Sequence, residues 1–335
     1  MIRTVLVATG FASCLIAQQP AAGTLRIGTD PWIAWAPLHV AAARGFFAAE
    51  SVQVEVVNYT GGETPAAFAA GRVDLATMMV GTAIGHAVEG HAPVILAEID
   101  WSHGGDKIVT RGETLDPKRT PRIGVYEESP AVTYFLHRYL AERTQHRRNQ
   151  FELVAIEDAD TLVANFVAGR FDAVICYDPY VQKAQAAPGT RLLATTADFP
   201  GVMPEAFVTT RERLTKIPAA SIDGVLRAWI RAAGWCADPK NRPEMDRIIR
   251  ERMFPEEQPD TAAIDAMLAT VRIHDVATLR ARNAADGPLV QVVGEMLDFA
   301  QAGAAKKVTA KDLIDTRALL RVLPPQQPAT AAPTK

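Results

Sequence analysis

Short apolar or alternating runs recur along the first 210 residues, and between them apolar residues return every three to four positions. Short runs of this kind predict strands, and the longer spacing predicts helices. From residue 217 onward the pattern predicts helices alone. Strands that alternate with helices predict an α/β protein. We expect strands over residues 25–28, 52–57, 75–80, 94–99, 107–111, 121–125, 151–156, 171–177, 191–194 and 206–210.

The first strand leads into an aromatic loop and then a helix, LRIGTDPWIAWAPLHVAAARGFF from Leu25. Helical spacing starts at Pro37, and Gly45 stands where the helix ends, because glycine enters the left-handed conformation without steric cost. In open α/β sheets, ligands bind beside such strand ends and helix N-termini. Trp32 and Trp35 in this loop are therefore either packed onto the core or part of the wall of a binding cleft.

The segment FAAGRVDLA at residues 68–76 recurs as FVAGRFDAV at residues 166–174. In each copy glycine ends a helix, aspartate forms the turn, and apolar residues enter a strand. Because both copies occupy the same place in matching strand–helix series, the repeat predicts two similar α/β lobes. VTR and VTTR segments bracket the second series. We therefore expect the chain to cross between lobes at Arg111 and Arg211, which would form the hinge.

Length and charge agree with this picture and narrow it. A chain of 335 residues is long for a single core, and its net charge of −3 provides no basic surface for nucleic acid. Residues 5–17 form an apolar run too short to span a bilayer, which predicts a signal peptide over residues 1–17. Cys14 in FASC also fits a lipid-attachment site, so soluble export and a lipid anchor both stay open.

The residues that carry chemistry form no strong catalytic or metal motif. Cys176 and Cys236 lie on a predicted strand and a predicted helix, where we expect buried free thiols, with a disulfide as the alternative. Asp100, His103 and Asp106 could hold a metal ion, but they lack further ligands at a suitable spacing. We therefore predict no cofactor, no metal and no catalytic residue.

Several segments in order resemble the substrate-binding proteins of ABC importers, in particular the nitrate/sulfonate/taurine and thiamine-pyrimidine group. They span residues 25–302 and include WAPL, RGFF, AFAAGRVD, DWSHGGD, AVICYDPY and TADFPGVM. The resemblance implies a type II periplasmic-binding fold with two hinge strands. Lobe one would comprise residues 24–110 and 207–322, with a helical C-terminal region, and lobe two residues 111–206. Residues 323–335, rich in Pro, Ala and Gln, predict a disordered tail.

The same resemblance implies a function. The protein would be a periplasmic monomer that captures a small polar organic solute between its lobes and delivers it to an ABC permease in the inner membrane, without catalysis. Two alternatives share the architecture. One is an enzyme of pyrimidine-precursor or menaquinone biosynthesis, and the other is a periplasmic ligand sensor.

By position, the resemblance also implies which residues bind ligand. Glu128 stands where the group often has glycine, and its charge would oppose a sulfonate or nitrate. With Asp106 and Asp178 it favours a ring compound with amine donors, such as an aminopyrimidine, over a sulfonate, taurine or nitrate. Each carboxylate could instead cap a helix or form a hinge ion pair. The implied residues are Trp35, Thr60, Gly61, Gly81, Thr82, Ser102 and Asp106 from lobe one, and Glu128, Ser129, Asp178 and Tyr180 from lobe two.

Overall fold

The computed structural model describes residues 23–60, 62–112, 115, 120–127, 129–143, 151–178, 180–301 and 307–325. The predicted signal peptide with Cys14, two of the implied site residues (Gly61 and Glu128), and residues 326–335 of the predicted tail lie outside the described residues.

The strands follow the hydrophobic pattern closely. They are β1 (Leu25–Thr29), β2 (Val54–Asn58), β3 (Leu75–Met79), β4 (Pro93–Ser102), β5 (Asp106–Arg111), β6 (Arg122–Val125), β7 (Glu152–Ala155), β8 (Ala173–Tyr177), β9 (Thr190–Thr195), β10 (Pro204–Thr210) and β11 (Val271–Ile273).

Helices fill the intervals between most strands and nearly all of the C-terminal third. They are α1 (Ala36–Ala43), α2 (Phe46–Ala49), α3 (Glu63–Ala69), α4 (Val80–Val88), α5 (Pro130–Arg143), α6 (Ala159–Val167), α7 (Tyr180–Ala186), α8 (Arg211–Leu214), α9 (Ala219–Ala237), α10 (Arg242–Arg252), α11 (Thr261–Ala269), α12 (Val276–Arg282), α13 (Pro288–Ala300), α14 (Ala310–Leu313) and α15 (Arg317–Val322). Within the described residues, none of them combines the length and apolar character that crossing a bilayer requires.

The strands form two sheets of the same design. The first has the order β11-β4-β10-β3-β1-β2, and the second β7-β6-β8-β5-β9. In each, three neighbouring strands run parallel, and a fourth that pairs antiparallel with them comes from a crossing between the lobes: β10 in the first sheet and β5 in the second. The two sheets bear out the prediction of two similar α/β lobes.

The sequence repeat extends further in the structure than in the printed sequence. The backbone N–H of Arg26 donates to Asp74 Oδ2 at 2.8 Å, and that of Arg122 donates to Asp172 Oδ2 at 2.8 Å. Each of these arginines also bonds a glutamate on the outer parallel strand, Glu55 and Glu152 respectively. The repeated aspartate therefore ties the entry of the third strand of each lobe to the start of its first strand.

The crossings lie elsewhere than predicted. Because β5 belongs to the second sheet, the chain leaves the first lobe within residues 103–105, and it returns within residues 196–203. Arg111 ends β5 and donates to the Phe166 carbonyl at 3.2 Å, within the second lobe. Arg211 begins α8 and donates to the Asp312 carbonyl at 2.7 Å. Neither lies at a crossing, since Arg111 is at the far end of β5 and Arg211 follows the far end of β10.

Three further expectations are corrected by tertiary pairing. Asp100 and Ser102 belong to strand β4, where a polar loop was expected, because β10 and β11 supply ladder partners on both sides. Strand β11 interrupts the region predicted as helical alone. The predicted tail begins too early, since Leu323 is buried in the core of the first lobe.

The cores explain how the lobes hold together. In the first lobe, the C-terminal helices pack on the sheet, with Trp229 edge-on to Phe207 at 5.1 Å. A second cluster includes residues of α4, α5 and α13 and therefore joins the two lobes. Cys176 lies in the core of the second lobe and Cys236 against that of the first. Both are free thiols, as expected.

Candidate functional site

The corresponding ends of the two sheets meet at one cleft. In the first lobe β1, β3 and β4 end there and β10 begins there, as the pairing of Glu205 with both Met79 and Asp100 shows. In the second lobe β6 and β8 end there and β5 begins there, where Asp106 pairs with Tyr177. Strand ends of α/β sheets expose unpaired polar groups beside helix N-termini, which is the usual place for a ligand.

The two crossings are hydrogen-bonded to each other at the floor of this cleft. The Ser102 and Thr196 hydroxyls lie 2.8 Å apart, and Thr196 Oγ1 accepts from the Gly104 N–H at 2.7 Å. The Ser102 N–H also donates to the Met203 carbonyl at 3.1 Å. Ser102, implied as a ligand-binding residue, therefore joins the two segments that connect the lobes.

Helices α4 and α5 bring the lobes into contact at one side of the cleft. A Cβ on Gly81 would lie 2.2 Å from the backbone N of Ala131, so only glycine allows this approach. Next to it, the Thr82 hydroxyl donates to Glu127 Oε1 of the other lobe at 2.9 Å. Gly81 and Thr82, implied as ligand-binding residues, make these interlobe contacts, and the first turn of α4 already has a carboxylate beside it.

Carboxyl groups from both lobes gather in the cleft. Burial raises the pKa of Asp30 to about 6 and that of Glu127 to about 7. Burial also raises the pKa of Asp106, although hydrogen bonds from Ser102 and Tyr126 oppose the shift. The carboxyls lie close enough to act on one another, because Asp30 and Asp106 both add to the rise in the pKa of Glu127.

Glu205 is the least satisfied member of this group. Its side chain is 5% exposed, and Oε2 accepts no hydrogen bond from the described residues. Burial raises its pKa well above the ordinary value, and the charges of Asp100, Asp106, Glu127 and Asp30 raise it further. Asp100 is fully buried, with Oδ1 accepting from Trp32 Nε1 at 3.2 Å and Oδ2 without a partner. We define the acidic cluster as Asp30, Asp100, Asp106, Glu127 and Glu205.

Aromatic rings stand beside the acidic cluster. The Tyr126 hydroxyl donates to Asp106 Oδ1 at 2.7 Å, and the Tyr126 ring packs edge-on to Tyr177 at 4.9 Å. Tyr177 in turn packs edge-on to Tyr180 at 5.5 Å. All three tyrosines are only partly buried. We call them the tyrosine row.

The two tryptophans of the loop differ in burial. Trp35 is buried in the core of the first lobe and Trp32 is partly buried, and both indoles lie beside Asp100, where each lowers its pKa. Trp32 also packs against the crossing, since a Cβ on Gly105 would lie 3.1 Å from its ring. Trp32 is therefore the better candidate for the cleft wall.

The other implied site residues are divided between structural and cleft positions. Thr60 is exposed at the turn before α3, and Ser129 is buried before α5, where its carbonyl accepts from the Thr133 hydroxyl. Asp178 forms an ion pair with Lys107, which is the alternative foreseen for it. Asp106 and Tyr180 belong to the acidic cluster and the tyrosine row.

Sequence reasoning missed Asp30, Glu127 and Glu205 as site residues. Asp30 directly follows β1, and Glu127 follows β6 by two positions, so their places after strand ends were a usable signal. Glu205 had no such signal, because it lies within a strand that was expected to begin at Ala206.

The expected metal candidates do not converge. Among the described residues, the only three-ligand group is His86, Glu89 and His91, at the end of α4 that faces away from the cleft. Asp100 and Asp106 serve the acidic cluster instead. The thiols offer no nucleophile either, because burial raises the pKa of both Cys176 and Cys236 to about 12.

Comparisons with known proteins agree on the fold. The profile of the NMT1-like family matches residues 18–250. The ligand-binding component of an ABC-type import system from Staphylococcus aureus, solved with zinc bound, is 14% identical, with a TM-score of 0.66 over 88% of this chain and 97% of that chain. No curated protein sequence matches the chain.

Two further similar structures are of proteins whose names describe them as anion-binding. The periplasmic nitrate-binding protein NrtA from Synechocystis PCC 6803 is 16% identical, with a TM-score of 0.65 over 91% of this chain and 89% of that chain. The alkanesulfonate-binding protein SsuA from Xanthomonas axonopodis pv. citri, bound to MOPS, is 18% identical, with a TM-score of 0.63 over 89% and 99%. The similarity confirms a periplasmic-binding-protein fold and leaves the solute of this chain open.

Proposed function

The chain belongs to the NMT1-like family, and from that premise we propose that it is the solute-binding component of an ABC importer. The cleft captures a small polar organic solute, and the lobes close over it. The closed form then docks on a permease in the inner membrane. Closure makes occupancy readable, because a ligand favours the closed state by its differential affinity for it.

One observation carries this proposal. Two lobes of the same design meet at their strand ends, and the segments that join them are short and hydrogen-bonded to each other through Ser102 and Thr196. Such a joint permits the lobes to turn about it while their polar edges stay opposed. The anion-binding proteins NrtA and SsuA share this fold and support a transport role.

Export completes the proposal. The predicted signal peptide over residues 1–17 would send the chain to the periplasm, where we propose that it acts as a monomer. Cys14 is the alternative site, where a lipid anchor would be attached. Mass spectrometry of the N-terminus of protein from cells expressing the full chain distinguishes these routes. A terminus at Gln18 supports soluble export, whereas a lipid-modified Cys14 at the terminus supports the anchor.

The test of receptor function needs no prior choice of solute. Protein exported from cells expressing the full chain is incubated with a small-molecule extract of those cells, re-isolated and weighed by native mass spectrometry. We expect one small molecule bound per chain, and an excess of the same molecule should displace it. The radius of gyration measured by X-ray scattering should be smaller when the molecule is bound. A chain that retains no small molecule and keeps one radius of gyration would contradict the proposal.

Neither alternative gains a specific observation. Among the described residues, Cys176 is buried and Cys236 partly buried, and burial raises the pKa of both thiols, which opposes a nucleophilic role. A sensor would use the same cleft, and uptake of the bound solute by cells that also carry the permease separates transport from sensing.

A further inference from the structure

The acidic cluster has more negative groups than the fold needs. Asp30 follows β1, Asp100 lies on β4 and Glu205 on β10, while Asp106 begins β5 and Glu127 follows β6. Five carboxyls from both lobes thus face one cleft. A cluster of like charges with low solvent access costs free energy, so it is retained where something else benefits from it.

Protein cations do not neutralise this cluster. Among the described residues, no lysine or arginine forms an ion pair with Asp30, Asp100, Glu127 or Glu205. Lys107 lies near Asp106 but forms its own ion pair with Asp178. Arg282 is paired with Glu98, two positions before Asp100 on β4. The described chain therefore offers these four carboxyls no paired cation, and a positive group in the cleft would favour their ionised form.

The most buried members point to a ligand rather than to a structural role. Glu205 is 5% exposed and Asp100 0% exposed, and each has one oxygen that accepts no well-formed hydrogen bond from the described residues, although the Trp35 indole lies beside Asp100. A buried acceptor without a donor keeps the cost of its lost hydration. A group that donates hydrogen bonds from within the cleft would relieve this cost.

The usual anion site of such a cleft is already in use. The N-terminus of α4, which would attract an anion, has Glu127 beside it, held by the Thr82 hydroxyl at 2.9 Å. An incoming sulfonate or nitrate would have to displace this carboxylate or lie against it. The chain thus supplies its own anion at the position where an anionic ligand would otherwise gain most.

The tyrosine row adds a second attraction for cations. Tyr126, Tyr177 and Tyr180 are partly exposed, and Tyr126 contacts both the acidic cluster, through Asp106, and the next ring. Aromatic faces attract organic cations through their quadrupole. Carboxylates beside aromatic rings suit a ligand that has positive nitrogen on apolar carbon.

We propose that the cleft binds a small organic cation, a solute with one or more protonated nitrogens, between the acidic cluster and the tyrosine row. This inference rests on the proposed function in taking the cleft as the solute site. In the free protein the carboxyls of the two lobes repel each other across the cleft. The bound cation offsets that repulsion and lets the lobes close, so ligand charge and closure are coupled.

The experiment compares charge classes at equal ionic strength and pH 8 by isothermal titration calorimetry. The cationic probes are choline, ethanolamine, agmatine and spermidine. The anionic probes are methanesulfonate, nitrate and bicarbonate, with zwitterionic taurine between the classes. We expect saturable binding of at least one cation and no binding of the anions. Binding confined to anions or taurine, or no cation bound at millimolar concentration, would overturn the inference.

Two variants test the residues themselves against a matched control. Glu205→Gln and Glu127→Gln keep the side-chain shape and remove one charge each. We expect each to lower the affinity for the cation at least about tenfold. Glu256→Gln makes the same change at an exposed position and should leave affinity unchanged. Unchanged affinity in both cluster variants would overturn the inference, and circular dichroism reports whether each variant is folded.

The failures of the two proposals are distinguishable. If the extract experiment yields a bound anion, the receptor function stands and the cation assignment is wrong. If the extract yields nothing and no probe binds, both are wrong.

Discussion

Glu98 and Glu205 are two buried glutamates on neighbouring strands with opposite circumstances. Glu98 on β4 pairs with Arg282 through two bonds of 2.7 and 3.0 Å and with His274 at 3.0 Å. Glu205 on β10, 5% exposed, has an oxygen without any donor and four carboxyls nearby. Both are glutamates of one sheet, so residue type and burial do not decide what a buried carboxylate does. Its partners decide.

The paired glutamate belongs to the framework. Its backbone N–H donates to Asn283 Oδ1 at 2.7 Å, and Asn283 Nδ2 donates back to its carbonyl at 2.9 Å. Trp101 packs against His274 and under Arg282, which closes the arrangement. Glu98 therefore attaches the region of α12 to the sheet. The Glu205 side chain, by contrast, has an oxygen that accepts no hydrogen bond from the described residues.

The largest effect on stability is expected from a substitution of Glu98, the paired glutamate. Glu98→Gln removes the charge that Arg282 and His274 face and leaves the buried guanidinium uncompensated. We expect the free energy of unfolding to fall by about 3–5 kcal/mol, the usual cost of breaking a buried pair from one side. Urea unfolding followed by circular dichroism measures it. A loss below that found for Glu256→Gln would show that the pair does not hold the fold.

The carboxyls of the acidic cluster that lack a cation should make the stability of the protein depend on pH. Burial raises the pKa of Asp30 to about 6, that of Glu127 to about 7 and that of Glu205 well above its ordinary value. Below about pH 4 both states are protonated, and as pH rises the unfolded chain releases these protons first. The free protein should therefore lose stability between about pH 4.5 and 7, by at most about 1.4 kcal/mol per pH unit for each proton.

Substitution sharpens this measurement. Glu205→Gln cannot titrate, so its urea midpoint should fall less steeply with pH than that of the unmodified protein. Added cationic ligand should reverse the trend, because it favours the ionised carboxyls. A free protein whose stability rises across this window would show that the cluster carboxyls are stabilised as anions by something within the chain.

The smallest effect on stability is expected at Asp178, a carboxylate that is paired but partly exposed. Asp178 is paired with Lys107, and their side chains are 27% and 13% exposed. Asp178→Asn should change the free energy of unfolding by about 1 kcal/mol or less, since partly exposed ion pairs contribute little. It should also change ligand affinity less than Glu205→Gln does. An equal loss of affinity in the two variants would mean that Lys107 and Asp178 take part in binding.

Much of the molecule follows from local sequence. The order of strands and helices, the two-lobed repeat and the free thiols were all predicted, because hydrophobic spacing and glycine positions act over a few residues. The strand ends likewise pointed to a ligand site, and the roles of Asp106 and Tyr180 in binding ligand stay predictions.

Only the tertiary structure decided how the charged groups are used. Arg282 meets Glu98 across 184 residues of sequence, and Glu205 meets the Asp30 and Glu127 carboxyls of distant loops. The hinge depended on the same information, since β5 joins the second sheet through pairing with β8 and β9. Local pattern fixes most of the elements, because that choice is made largely by neighbours in sequence, whereas the end of β4 and strand β11 depend on their ladder partners. Whether a buried carboxylate finds a cation is settled by neighbours in space.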